Sequence, residues 1–175
     1  MTVLLLLAGL VLLAMVAYDA LATTLSVGAA AGPLTSRLAR GWWRFARRLA
    51  GRPDSPVIVS AGPVVLLLTI GVWLGLLWAG WTLVFAADPE AVISTATRAP
   101  ASGWSRVYFT GFTVFTLGVG DYIPQGQPWE ILTAIASVSG LGLVTLAITY
   151  LMPVVSSVTA RRAQANTIAG MGNTP

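Results

Sequence analysis

The chain has 175 residues, of which 56% are hydrophobic and 9% are charged. A soluble domain of this length does not need so much apolar material, whereas an integral membrane protein does. Cysteine and histidine are both absent, which excludes disulfide frameworks, the usual zinc sites and catalysis by a histidine-centred triad. We therefore expect a membrane protein that is not an enzyme and has no cofactor. Its net charge of +4 is carried by arginine alone and indicates topology and lipid contact rather than nucleic-acid binding.

Residues 1–31 are predicted to form a first transmembrane helix. Val3 to Ala17 is an uninterrupted apolar run, and Asp19 is the first charged residue. A signal peptide is the alternative, because the small residues Ala29 to Ala31 follow. The segment lacks a basic start, however, and the acid falls where a cleavage region would begin. These features favour a retained helix.

Residues 32–56 are predicted to contain a cytoplasmic amphipathic helix. Pro33 suits the start of a helix and Gly51 its end. Apolar residues recur at helical spacing, and arginines occupy the other faces, a pattern typical of a helix lying in the interface of an anionic membrane. A loop helix packed on its neighbours is the alternative. The apolar positions are Leu34, Leu38, Trp42, Phe45 and Leu49, and the basic ones are Arg37, Arg40, Arg44, Arg47 and Arg48.

Residues 57–160 form a unit of two full-length apolar spans with a shorter segment between them. The first span covers about Ser60 to Ala87, and its three tryptophans predict that its second half ends at a membrane interface. Residues 88–103 are predicted to be an exposed loop. The last span covers about Trp129 to Val158. Residues 161–175 are expected to be a short, frayed cytoplasmic tail.

The shorter segment, Trp104 to Phe115, contains about a dozen residues and would be ~18 Å long as a helix. It would reach about half-way across a hydrocarbon core of roughly 30 Å. Such a segment is predicted to be re-entrant, with its non-helical end surrounded by protein or water.

The distribution of charge predicts the orientation. Six arginines lie between the first two spans and two follow the last, so eight of the ten fall on one side. The positive-inside rule places that side, with the C-terminus, in the cytoplasm and the N-terminus outside. The predicted class is an all-α, multi-pass protein of the cell membrane. It has three transmembrane helices, an interfacial amphipathic helix and a re-entrant helix.

A glycine strip follows the short segment: Thr116-Leu-Gly-Val-Gly-Asp121. Glycine adopts backbone conformations closed to other residues, so Gly118 and Gly120 allow successive carbonyl oxygens to point to one side. Stacked carbonyls can replace the hydration shell of a cation. An ordinary turn is the alternative for such a motif taken alone.

The strip resembles the selectivity filter of prokaryotic-type potassium channels, commonly Thr-Val-Gly-Tyr-Gly-Asp. The resemblance covers about Val64 to Val158, as outer helix, pore helix, filter and inner helix. It implies a homotetramer that conducts potassium passively, because the chain holds one loop and four must surround an axis. The ion-binding filter would be Thr116, Leu117, Gly118, Val119 and Gly120, with potassium ions held by the oxygens of the first four.

The resemblance also implies roles for residues around the filter. Asp121 at the outer mouth would raise the local cation concentration, or would brace the filter through a hydrogen bond from Tyr108 or Trp104. Thr113 and Phe115 would support the filter from the pore helix, whose C-terminal dipole would favour a cation in the cavity.

Two positions in the last span are candidates for gating. Gly140 lies where the family places a hinge glycine, although close helix packing is an alternative explanation. Pro153 predicts a kink and a gate near the cytoplasmic end. The residues expected to line the pore are Leu141, Val144, Ile148 and Thr149.

The strip departs from the common pattern at two positions. Val119 replaces the usual tyrosine, and Phe115 replaces a second threonine. Both changes affect selectivity for potassium over sodium more than conduction itself. A weakly selective cation channel is therefore the alternative function.

Two alternative functions belong to other classes of protein. Tyr18-Asp19 and Gly118-Val-Gly-Asp121 resemble the aspartate motifs of intramembrane aspartyl proteases, which need two neighbouring carboxylates. The predicted topology places the two acids near opposite membrane faces, which disfavours a protease, and Asp19 is expected to meet an arginine of the amphipathic helix. A non-conducting membrane scaffold would not need the glycine spacing.

Overall fold

The computed structural model describes the backbone of residues 1–25, 31–50 and 61–171, and the side chains of residues 1–25, 31–48 and 62–151. The described elements, in chain order, are α1 (Thr2–Leu25), α2 (Pro33–Ala50), α3 (Ala61–Ala86), β1 (Val92–Ser94), α4 (Gly103–Val114), β2 (Tyr122–Pro124) and α5 (Gln127–Met171).

Within the described residues, three helices are long and apolar enough to cross a membrane: Thr2–Leu25, Gly62–Ala86 and Gln127–Leu151. This agrees with the three spans predicted from hydropathy. The chain also has the predicted amphipathic helix, α2, and the predicted half-length helix, α4. The architecture is therefore mostly helical, with α4 inserted between α3 and α5.

The first helix, α1, packs closely on α3. A Cβ added at Gly9 would lie 2.8 Å from the carbonyl oxygen of Gly80, and one added at Gly80 would lie 2.9 Å from the Leu13 side chain. Since Asp19 of α1 also bonds Trp73 of α3, the two helices run antiparallel. Small residues at such a crossing let two membrane helices approach closely.

The last helix is longer than predicted. It continues to Met171, whereas the sequence predicts that the span ends near Val158 and that residues 161–175 fray. Alanine, arginine and glutamine are good helix formers, and they dominate the beginning of this extension. Hydropathy locates the end of a span, and it does not locate the end of the helix that contains it.

The predicted exposed loop at residues 88–103 is exposed at most of its positions, but a short part of it is packed. Within it, β1 pairs with β2 in antiparallel register, with Ile93 opposite Ile123. Ala91, Val92 and Ala101 are buried. Because β2 directly follows the glycine strip, this pairing ties the strip to the loop before α4. Strands of three residues are too short for alternating hydrophobicity to reveal.

The tryptophans of α3 do not form a surface belt, so they no longer support the prediction of an interface at the second half of this helix. The place of that end relative to the membrane stays a prediction. Trp73 and Trp81 are buried, and each indole N–H has an acceptor inside the protein. Trp73 donates to Asp19 at 2.8 Å, Trp78 to the carbonyl of Val107 at 2.9 Å, and Trp81 to Ser139 Oγ at 2.9 Å. These residues join α3 to α1, α4 and α5.

The expectation that Asp19 meets an arginine is wrong. Its carboxylate is fully buried and caps the N-terminus of α2. It accepts hydrogen bonds from Leu34 N at 2.7 Å, from Thr35 N at 3.2 Å and from Thr35 Oγ1 at 2.7 Å. Helix N-termini have unpaired N–H groups that attract an acid. With Trp73, these bonds define the Asp19 cluster: Asp19, Thr23, Gly32, Thr35 and Trp73.

Candidate functional site

The half-length helix α4 is set in place by its own sequence and by aromatic packing. Ser102 caps it by accepting a hydrogen bond from Ser105 N at 3.2 Å. Its C-terminal half, from Phe109 to Val114, is buried. The Phe85 ring of α3 meets Phe109 edge to face, with centroids 5.1 Å apart. A polar, capped start and an apolar, buried end suit a helix that enters the membrane and stops there.

The glycine strip that follows α4 has an alternating backbone. Thr116, Gly118 and Gly120 have positive φ angles of 57°, 59° and 85°, and the residues between them do not. Alternation of left- and right-handed residues aligns successive N–H groups on one side, and it leaves the carbonyls on the other. Thr116 is one of two residues other than glycine with positive φ in the described chain. Such a conformation is uncommon and indicates a constrained site.

The strip is attached to the end of α4 by main-chain hydrogen bonds. Leu117 N donates to the carbonyl of Phe112 at 2.8 Å, and Thr116 N donates to the carbonyl of Thr113 at 3.1 Å. Ser137 of α5 donates to the same Thr113 carbonyl at 3.1 Å. The carbonyl groups at the C-terminus of α4 thus fix the start of the strip and link it to α5.

Asp121, at the other end of the strip, is held from two directions. Its carbonyl accepts from Thr95 N at 3.0 Å and from Thr95 Oγ1 at 2.9 Å. Its carboxylate accepts from the Tyr108 hydroxyl at 3.4 Å, near the limit for a hydrogen bond. Trp104, the other predicted donor, is 79% exposed in the single chain.

The Tyr108 hydroxyl stays protonated at ordinary pH, which keeps its hydrogen bond to Asp121 intact. Burial, and then the adjacent Asp121 carboxylate, raise the pKa of the Tyr108 hydroxyl above its ordinary value. The phenol therefore remains protonated and able to donate. The contact is present below the ordinary pKa and is lost only as the pH rises through the raised one.

The predicted supports at the end of α4 occupy different environments. Thr113 is buried, and its carbonyl accepts the two hydrogen bonds from Thr116 and Ser137. Phe115 is the C-cap residue of α4, and its ring lies edge-on to Trp78 with centroids 6.2 Å apart. The aromatic ring of Phe115 thus packs on α3. A threonine at position 115 would offer a hydroxyl group instead.

Gly140 of α5 lies against the end of α4. A Cβ at this position would collide with the carbonyl group of Val114. This contact accounts for the glycine through close packing, the alternative given above to a hinge. Pro153 lies beyond the described side chains. The residues predicted to line the pore are all exposed in the single chain: Leu141, Val144, Ile148 and Thr149.

The two acids of the disfavoured protease motif do not share a site. Asp19 bonds α2 and α3, whereas Asp121 bonds Tyr108 through its carboxylate and Thr95 through its carbonyl. Among the described residues, no group of three or more acids could hold a metal ion. The side-chain oxygens of the strip are the Thr116 hydroxyl and the Asp121 carboxylate, and its other oxygens belong to the backbone.

Sequence reasoning missed several residues that position the site. They were not assigned because their partners are distant in sequence: Trp78 contacts Val107 and Phe115, Thr95 holds Asp121, and Ser137 reaches Thr113. A serine on the apolar span and a threonine in a loop give no pattern that identifies such partners.

The comparisons with known proteins agree with this arrangement. A family profile described as "Ion channel" matches residues 64–157, from α3 through most of α5. The chain is also similar to the "Uncharacterized membrane protein YdjJ" of Bacillus subtilis (strain 168), with 39% identity over 166 residues. That alignment covers 95% of this chain and 48% of the relative, so the chain spans about half of the relative's length. No solved structure matches the chain.

Proposed function

The chain belongs to the two-helix potassium channel pore-domain family, and from this membership and the geometry of the glycine strip we propose that it forms a tetrameric channel that conducts potassium passively. The observation that carries the proposal is the alternation of backbone handedness at Thr116, Gly118 and Gly120, immediately after a half-length helix. Such alternation would give one chain a row of carbonyl oxygens on one side of the strip.

The row would become an ion path when several copies surround an axis. One strip supplies one side of each oxygen ring, so four copies are needed to replace the hydration shell of a cation. Two apolar side chains of the strip, Leu117 and Val119, are 70% and 48% exposed in the single chain. A homotetramer would cover these side chains with neighbouring copies. The proposed ligands are the carbonyls of Thr116, Leu117, Gly118 and Val119 with the Thr116 hydroxyl, and Gly120 would complete the strip.

The surroundings of the strip support transfer of a cation. The carbonyl end of α4 carries the negative end of the helix dipole, which would stabilise a cation in the central cavity. Asp121 would attract cations to the outer mouth. On α5, the exposed residues Leu141, Val144, Ile148 and Thr149 would line the passage, and Pro153 would place a gate near its cytoplasmic end.

A weakly selective cation channel is the second candidate, and it is favoured by Val119 and Phe115. Valine has no aromatic ring to support the strip from behind, and Phe115 packs on Trp78 without supplying a hydroxyl to the filter. A less firmly held strip discriminates less between potassium and sodium, if the number and rigidity of the carbonyl ligands determine selectivity.

The orientation follows from charge. We place the N-terminus outside and α2 with the C-terminus in the cytoplasm of a cell-membrane protein. All five arginines of α2 are exposed, and so are Trp43 and Phe45. This composition suits contact with anionic lipid at the cytoplasmic surface.

The test is bilayer recording of the purified protein between potassium and sodium solutions. A reversal potential that follows the potassium gradient supports the proposal. One that follows both cations supports the weakly selective channel. Silence under every condition, from a protein that is tetrameric by mass, would favour the non-conducting scaffold.

A further inference from the structure

The described hydrogen bonds of the glycine strip include no member of the Asp19 cluster, which joins α1, α2 and α3. Asp19 is fully buried and accepts four hydrogen bonds, three from α2 and one from α3. A carboxylate buried in a membrane bundle is costly unless it is paired, and such residues mark functional sites by default. Its partners indicate which elements it controls.

The cluster holds the beginning of α2 in one position. Thr23 Oγ1 accepts from Gly32 N at 3.0 Å and donates to Thr35 Oγ1 at 3.2 Å. A Cβ on Gly32 would collide with the Asp19 carboxylate, so the chain passes this point as closely as a backbone can. Movement of the N-terminus of α2 would therefore have to move Asp19 or break its hydrogen bonds.

The other end of the connection is on the inner helix. Trp73 is fully buried, donates its indole N–H to Asp19 at 2.8 Å, and has its ring 6.3 Å from the Tyr150 ring of α5. Tyr150 immediately follows Ile148 and Thr149, two of the residues proposed to line the pore. One side chain thus contacts both the cap of α2 and the part of α5 that forms the passage.

We propose that Asp19 and Trp73 couple the amphipathic helix to the inner helix, so that contact of α2 with an anionic membrane surface biases the position of α5 at Tyr150. The arginines of α2 supply the affinity for anionic lipid, and Asp19 and Trp73 are positioning residues that transmit the position of α2. Packed side chains and rigid helices with shared hydrogen bonds can carry such coupling. The inference rests on the proposed function, because it assigns a regulation to the same pore.

The test varies the lipid and one side chain at a time. Trp73→Phe removes the indole N–H but keeps an aromatic ring, and Asp19→Asn removes the charge but keeps one carbonyl oxygen. Tyr18→Phe is the matched control, because Tyr18 neighbours Asp19 and is 66% exposed. Potassium flux is measured in vesicles of phosphatidylcholine, with and without phosphatidylglycerol. We expect the wild type and Tyr18→Phe to change flux by about fivefold or more between the two lipids, the size of typical allosteric coupling. In Trp73→Phe and Asp19→Asn the ratio is expected to fall toward one.

A second readout does not require conduction. The chain has no cysteine, so Ile148→Cys carries a single nitroxide label without further substitutions. The label's mobility is expected to differ between the two lipids in an otherwise wild-type chain, and to be insensitive to lipid when Trp73→Phe is added. If the wild type gave no flux but the mobility of the label at position 148 still depended on the lipid, the channel would be rejected and the coupling retained. The same lipid response in Trp73→Phe and the wild type, or no lipid response in the wild type by either readout, would overturn the coupling.

Discussion

Two regions of the molecule achieve a fixed geometry by opposite means. From Thr116 to Gly120 of the glycine strip, the backbone conformation is fixed by alternating handedness and by hydrogen bonds to nearby carbonyls. In the Asp19 cluster, side chains fix the geometry: one carboxylate, two hydroxyls and one indole join three helices. The first geometry depends on neighbours in sequence, whereas the second depends on residues as much as 54 positions apart.

The two regions are therefore sensitive to different kinds of substitution. A backbone conformation tolerates changes around it, whereas a Cβ at a left-handed position costs about 1–2 kcal/mol, a cost that Thr116 already carries. A buried polar cluster tolerates little, because losing one member leaves its partners desolvated and unpaired. Four substitutions in and around these regions test the difference. They are given in order of the expected change in the free energy of unfolding.

Asp19→Ala is expected to have the largest effect. It leaves the indole N–H of Trp73 and the donors of Thr35 without their acceptor, and we expect a loss of roughly 3 kcal/mol in the free energy of unfolding. Titration of detergent-purified protein with denaturing detergent, followed by tryptophan fluorescence, measures it. Asp88→Ala is the control. It is expected to cost about 1 kcal/mol or less, because Asp88 accepts one local hydrogen bond from Glu90 N. Equal losses would show that the cluster is not a special site.

Gly140→Ala is expected to have the next largest effect. The added methyl group meets the carbonyl of Val114, and relief of that overlap has to move α5 away from α4, at a cost of about 1–3 kcal/mol. Gly142→Ala on the same helix meets nothing within 4 Å in the chain and is the matched control. Thermal unfolding of both variants in detergent provides the comparison. If both variants retained wild-type stability, the close contact between α4 and α5 would be contradicted.

Gly118→Ala is expected to change stability less and conduction more. The left-handed conformation at φ 59° costs an alanine about 1–2 kcal/mol, so the strip is expected to adopt another conformation and lose its row of carbonyls. Potassium flux into vesicles is expected to fall at least about tenfold. Gly75→Ala, at an open position on α3, is expected to conduct as the wild type does. Unchanged flux in Gly118→Ala would reject the strip as the ion path.

Tyr108→Phe is expected to have the smallest effect. The hydrogen bond to Asp121 is 3.4 Å long, so its loss is expected to change potassium conduction by about twofold or less at neutral pH. Because the pKa of Tyr108 is raised, the wild type is expected to lose this contact only in alkaline solution, where a phenolate would repel the Asp121 carboxylate. Recordings across alkaline pH check this, and an alkaline change in conduction that is the same in Tyr108→Phe and in the wild type would contradict the assignment.

The sequence predicts most of the architecture because long apolar runs and helical periodicity are local signals. The three spans, the amphipathic α2 and the half-length α4 all follow from such signals. The strip was singled out because its glycines and Asp121 are adjacent in sequence. Its proposed ligands for potassium remain a prediction.

Other features could not be read from the chain because they depend on tertiary contacts. The partners of Asp19 are set by how α1, α2 and α3 cross, so an arginine was expected where N–H and O–H donors are found. The tryptophans of α3 follow a membrane-interface pattern, yet Trp73 and Trp81 are buried. The sequence allows Gly140 either a packing role or a hinge role, and the Val114 carbonyl beside it accounts for the glycine by packing.

The most direct measurement of the central claim is an experimental structure of the purified protein with rubidium in place of potassium, recorded for anomalous scattering. We expect a fourfold assembly with rubidium peaks on the axis, between rings formed by the carbonyls of Thr116, Leu117, Gly118 and Val119. Loss of these peaks in Gly118→Ala would assign them to the alternating backbone. A fourfold assembly without axial rubidium, or one in which the carbonyls point away from the axis, would contradict the account.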